Sequence, residues 1–173
     1  SEDHSVLDFD SNDGGALISL GFGFPFYDNT YSLAAVMANG WLAFGGTSQE
    51  WNNGSIFDED SPRNAILGFW DDLNPVNSDN PNGGGFVRYH SNSERAVIWY
   101  DNVIHWTGEG RVYDFQIVLK SSGEVDINYR SMVGNTASAT IGIIDSNGDF
   151  GLEVLYNQDN FMQDNLTVSF KET

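Results

Sequence analysis

Apolar residues along this chain come in short runs that mostly alternate with polar ones, and clusters of Gly, Asn, Asp, Ser and Pro separate the runs. The clearest case spans residues 111–130. Phe115, Ile117 and Leu119 share one face, and Val125, Ile127 and Tyr129 share one face beyond Ser121-Ser122-Gly123. Glu124, Asp126, Asn128 and Arg130 take the other face. Alternation with a period of two marks a half-buried strand, so this stretch is a predicted hairpin. Residues 33–37 and 41–44 predict a second one around Asn39-Gly40, a dipeptide suited to a tight turn. There Trp41 and Ala43 face one way, and Leu42 and Phe44 the other.

Residues 64–75 read differently. Ala65 to Trp70 is continuously apolar, as in a strand buried on both faces. It then turns acidic at Asp71-Asp72 and closes on Asn74-Pro75, a turn signal. Further strands are predicted over residues 16–20, 86–90, 95–101, 137–144, 151–156 and 166–171. In residues 21–27 small and aromatic residues alternate, and Pro25 demands a sheet edge or a bulge. The nearest helix candidate, 157–165, lacks an apolar stripe. The expectation is an all-β, antiparallel β-sandwich, jelly-roll-like, of about eleven short strands at the spacing of such folds. It forms one domain over residues 16–173, behind an acidic leader at 1–15. Trp41, Trp70 and Trp99 lie in alternating strands and are expected in its core.

Composition narrows the chemistry. The chain has 173 residues, which fits one domain, and no Cys, so no disulfide staples it. No apolar run is long enough to insert in a membrane. Asp and Glu number 25 against 7 Lys and Arg, a net charge of −18. Such a surface repels nucleic acid and anionic lipid. Short carboxylates beside Asn and Gly in loops suit Ca2+. Three groups are candidate ligands: Asp71 and Asp72 with Asp79, Asn80 and Asn82 in the loop beyond; Asp8, Asp10 and Asn12; and Asp145, Asn147 and Asp149. Asp13 stands where an EF-hand requires Gly, and Ser19 where it requires Glu, so an EF-hand is excluded. The competing role for each carboxylate is accepting N–H bonds within its own loop.

Nucleophilic catalysis has little material. The only histidines are His4, His90 and His105, and neither a Gly-x-Ser-x-Gly elbow nor a His-Glu-x-x-His motif occurs. Walker and dinucleotide fingerprints are also absent. Paired carboxylates for glycoside hydrolysis stay open, because their separations are invisible in a sequence. Binding has more: five Trp and seven Tyr. Trp51 and Trp106 lie in polar loops, where an indole either plugs the end of the barrel or stacks on a sugar ring. His105, Asn53 and Glu109 stand close by in sequence to bond hydroxyls. Asn53-Gly54-Ser55 and Asn165-Leu166-Thr167 match the glycosylation sequon.

The motifs also occur in a telling order: Phe24-Pro25-Phe26-Tyr27, Asn39-Gly40-Trp41-Leu42-Ala43-Phe44-Gly45, Pro62 through Asp72, Gly85-Phe86-Val87-Arg88-Tyr89, Ala96 through Val103, Phe115 through Leu119, and Gly123 through Tyr129. In this order, over about residues 16–157, the chain resembles the extracellular β-domain of the nidogen type. It is more similar still to bacterial relatives appended to secreted proteases, other hydrolases and surface adhesins. The resemblance implies an extracellular, non-catalytic adhesion or accessory module among other domains of a larger parent chain, and brings no catalytic set. The absence of Cys fits a bacterial version. The expected function is binding of a glycan or another cell-surface ligand, with Ca2+ organising the acidic loops. Two alternatives compete. A structural or peptide-binding segment would work by sheet-edge pairing and would bury Trp51 and Trp106. A polysaccharide hydrolase or lyase would need two carboxylates, or His90 or His105 beside Tyr or Glu, in one cleft.

Overall fold

The computed structural model describes residues 4–76 and 83–171. The described residues form twelve strands in two antiparallel six-stranded sheets. The first sheet runs β1 (Ser5–Val6), β6 (Phe86–Ser91), β7 (Arg95–Ile104), β8 (Val112–Lys120), β9 (Val125–Val133), β12 (Leu166–Phe170). The second runs β11 (Gly151–Tyr156), β10 (Thr140–Ile144), β5 (Ala65–Trp70), β4 (Trp41–Ala43), β3 (Asn29–Met37), β2 (Gly15–Phe26). The sandwich predicted from alternation is what forms, with β1 as the added strand.

The inner faces build the main core. Ile98, Tyr100, Phe115, Ile117 and Tyr129 of the first sheet meet Leu20, Phe24, Val36, Leu42 and Phe69 of the second. Two tyrosines also join the sheets by hydrogen bonds. Tyr100 Oη donates to the Met37 carbonyl at 2.7 Å, and Tyr129 Oη to that of Gly68 at 2.5 Å. Burial raises the pKa of both phenols and keeps them protonated donors. Gly68 permits this approach, since a Cβ there would lie 2.7 Å from the Ile117 side chain. Gly40, in the turn between β3 and β4, has φ +87° and lies so close to β5 that a Cβ would fall 1.9 Å from the Phe69 carbonyl. The turn predicted at Asn39-Gly40 is therefore also a packing contact.

A second, smaller core lies on the outer face of the second sheet. Trp41, Leu67, Trp70 and Ile144 are capped by Ile56, fully buried, from the long connection over residues 44–64. That connection is pinned at several points. The Glu50 carbonyl accepts both indole N–H groups, from Trp70 at 3.0 Å and Trp41 at 3.3 Å. Glu153 on β11 accepts the Ile56 N–H at 2.8 Å and the Ser55 hydroxyl at 2.7 Å. Arg63 donates to the carbonyls of Asp58 at 2.7 Å and Ser61 at 3.0 Å. Backbone groups satisfied in this way give a long loop one conformation.

Three features bear on expectation, the first meeting it and the other two departing from it. Pro25 lies inside β2, which is an edge strand with a register shift between Ser19 and Phe24, so its missing N–H disrupts no central ladder. Residues 5–9 join the sandwich: β1 pairs with β6, and Phe9 is buried in the main core. His4 rests edge-on against Trp99 at 5.8 Å and His90 at 5.5 Å. Third, Trp41 and Trp70 are buried, but Trp99 is only half-buried. Ile98 and Tyr100 take the inward positions of β7, so alternation turns Trp99 to the outer face, which no loop among the described residues covers as 44–64 covers the second sheet.

Truncating the cap tests the second core. Ile56→Ala is expected to cost about 2–4 kcal/mol, as for other large-to-small core changes. Hydrogen exchange should accelerate across residues 45–63 while β7, β8 and β9 stay protected; uniform acceleration would mean that the loop and the sheets unfold as one unit.

Candidate functional site

β5 delivers Asp71 and Asp72 to one end of the sandwich, as its acidic boundary predicts. Asp71 is buried and fully used. Its Oδ1 accepts the Asp72 N–H at 2.9 Å, and its Oδ2 accepts the Ser138 hydroxyl at 2.8 Å. His105, also buried, places Nε2 3.3 Å from Asp71 Oδ1. Its Nδ1 accepts the Thr107 N–H at 3.1 Å, so Nε2 carries the proton and donates to Asp71. With that tautomer, Arg111 Nη1 at 3.3 Å from Nε2 is a contact between two donors. Arg111 pairs instead with Glu109 at 3.4 Å. Tyr113 lies below and donates to the Asn135 carbonyl. Burial first, and then Asp71, raise its pKa against the opposing pull of Arg111.

Asn39 holds this end together. Its Oδ1 accepts the Leu73 N–H at 2.8 Å, and its Nδ2 donates to Asp13 at 2.8 Å. The loop after β7 is tied on by the Trp106 N–H, donated to the Asp72 carbonyl at 2.8 Å. Asp72 is the carboxylate left in a mixed environment. Burial raises its pKa from 3.8 to about 6; His105 lowers it, while Asp13 and Asp71 raise it.

The expected ligand-binding residues divide between two places. His105, Trp106 and Glu109 gather beside Asp71 and Asp72; Trp106 is half-buried, and Glu109 is exposed with φ +44°. Trp51 and Asn53 lie on the loop over the second sheet. Trp51 is 50% exposed, so it is no plug; Ile56 has that role. Asn53 is a structural tie, donating to Asn157 Oδ1 at 2.7 Å and Thr140 Oγ1 at 3.0 Å.

The expected calcium ligands also separate. Asp145 Oδ1 accepts the N–H groups of Gly148 at 2.8 Å and Asp149 at 2.9 Å. Burial would raise its pKa, but these bonds and those of Phe150 and Asn147 bring it below the ordinary value. Asn147 and Asp149 are exposed on that turn. Asp8 and Asp10 are exposed, and Asn12 donates to Asp13 at 3.1 Å. Asp79, Asn80 and Asn82 lie outside the described residues. Among the described residues, no three His, Asp or Glu side chains converge in a group that could hold a metal ion.

Sequence reasoning missed Asn39, Ser138 and Arg63. Asn39 carried a turn signal that masked its side-chain role, and Ser138 carried none. Arg63 was legible in principle, as a rare cation beside Asp58-Glu59-Asp60.

Asp72 sets a pH dependence. Because folding raises its pKa, the folded state holds the proton more tightly, and the associated stability is lost as pH rises from about 4 through about 6. The group is partly exposed, so the effect is about 1 kcal/mol after solvent screening. Asp72→Asn should therefore melt higher than the unaltered protein at pH 8 and the same at pH 4. Equal melting temperatures at both values would show that the carboxylate has its ordinary pKa.

The nidogen-related family model (NIDO related) matches residues 2–171. No curated protein matches the chain, and no solved structure does. The match spans nearly the whole sequence, β1 included, and its type is the one the ordered motifs point to. The chain belongs to the nidogen-related family.

Proposed function

We propose that this chain is a non-catalytic binding module displayed outside the cell within a larger parent protein, and that it takes a glycan or another hydroxyl-rich cell-surface ligand. Membership of the nidogen-related family supports a binding module and an extracellular setting. No helix of the described residues is long and apolar enough to cross a membrane. The observation that carries the ligand class is Trp51. It is a half-exposed indole on a loop immobilised at the neighbouring Glu50 carbonyl and at Asn53. A rigid exposed aromatic offers stacking area at little cost in ordering. Beside it, Asn52, Asp58, Glu59 and Tyr156 line an open groove of about 480 Å³ with acceptors for hydroxyl groups.

A non-catalytic role agrees with the end of the sandwich. His105 and Asp71 are both more than nine-tenths buried, and Tyr113 spends its hydroxyl on the Asn135 carbonyl. A reacting group needs access that this network denies. The second reading, sheet-edge pairing with a peptide, is favoured by β11, an edge strand with Leu152 59% and Tyr156 43% exposed.

A glycan-array screen of the folded chain tests the first reading. Hits that weaken on Trp51→Ala are expected. A blank array would transfer the function to the β11 edge. Calcium is a separate question. Asp71 and Asp145 each bond protein donors, so the melting temperature is expected to be equal in calcium and in chelator. A fall of several degrees on chelation would assign an ion to the acidic loops, since a native-state ligand stabilises by mass action.

A further inference from the structure

The outer face of the first sheet carries a row of residues paired strand to strand. Arg88 on β6 pairs with Trp99 on β7, Trp99 with Gln116 on β8, Gln116 with Asn128 on β9, and Asn128 with Thr167 on β12. Along this row lies an open groove of about 430 Å³, within the range of small-molecule sites at ~300–1,000 Å³. Trp99 forms one wall, Asn165 and Thr167 line the opposite side, and Gln116 and Asn128 form the floor.

Its polar groups are unusual for a plain solvent face. The Asp114 side chain is only 2% exposed. One oxygen accepts the Trp99 indole N–H at 3.0 Å. The other lies 2.7 Å from Arg130 Nη2 yet makes no hydrogen bond, so it is ion-paired off the donor direction. Arg130 is itself 65% exposed and has room to move. Gln116 makes no side-chain hydrogen bond among the described residues, and Asn128 uses its Oδ1 on the Thr167 hydroxyl at 2.9 Å. Trp99 is held by Asp114, has the guanidinium groups of Arg88 and Arg130 over its ring at 5.7 and 5.9 Å, and meets His4 edge-on at 5.8 Å.

This set decides the ligand class. It offers a carboxylate acceptor, a guanidinium donor and three amides that both donate and accept. An anion would face the Asp114 carboxylate, and a cation would face Arg130. An apolar ligand would strand the amides without partners. Vicinal hydroxyls donate and accept together, and the C–H face of a sugar ring matches an indole. We infer that this groove binds a neutral saccharide, independently of Trp51, which lies on the loop over the other sheet.

The test is an array of neutral glycans, read with the full chain and with Trp51→Ala, Gln116→Ala and Trp99→Ala. Gln116 is partly exposed and outside the core, so its variant should keep the melting temperature even if Trp99→Ala does not. The expected result is a set of hits retained by Trp51→Ala and weakened about tenfold or more by Gln116→Ala, about 1.4 kcal/mol. Hits all lost on Trp51→Ala would overturn the groove and leave the Trp51 reading standing; hits retained by Trp51→Ala yet unaffected by Gln116→Ala would overturn the groove and place the saccharide elsewhere. A blank array with folded protein would overturn both.

Discussion

The structure depends on one constraint: β5 has no face in water. All six of its residues are buried. One side contributes Ile66 and Phe69 to the core between the sheets, and the other contributes Leu67 and Trp70 to the smaller cluster outside. A strand in that position requires a cover on a face that a two-layer sandwich would normally leave in solvent. The 44–64 connection is that cover. Its irregular path follows from where Ile56 must sit and where Glu50 must present its carbonyl. The same strand ends in Asp71, so the covered face and the acidic end belong to one element.

Charge is handled locally. The chain has few cations to set against its acids, and several of those few meet specific local partners. Arg63 gathers backbone carbonyls, Arg130 meets Asp114, and Lys120 joins Glu124 and Asp126 at 3.0 and 2.7 Å. Many of the remaining carboxylates accept N–H groups, as at Asp145, where the turn is closed by its own aspartate. Buried acids in such a chain are spent on architecture, and exposed ones keep it apart from other polyanions.

Most of the fold was legible because period-two alternation is a strong local signal. Residues 115–119 and 124–130 display it, and β8 and β9 follow it beyond a register shift between Asp114 and Phe115. Residues 65–70 announced a doubly buried strand by having no polar member. What alternation cannot supply is which face is covered. Trp41, Trp70 and Trp99 look alike in sequence, yet only the first two gain a lid, because that lid is contributed by a segment with no periodicity. The candidate site was legible in part for the same reason. Asp71 and Asp72 stand at a visible boundary. Asn39 and Ser138 join them only through contacts distant in sequence. The N-terminal residues read as a leader because polar composition hid Phe9, whose role depends on the sheet it reaches.

The two indoles converging on residue 50 bond its carbonyl and not its side chain. Identity at that position is therefore nearly free, while Trp41 and Trp70 are not. Among homologues, residue 50 should drift widely beside two unvarying tryptophans, without disturbing the scaffold. Anchoring through the main chain separates what evolution can vary from what holds the loop in place.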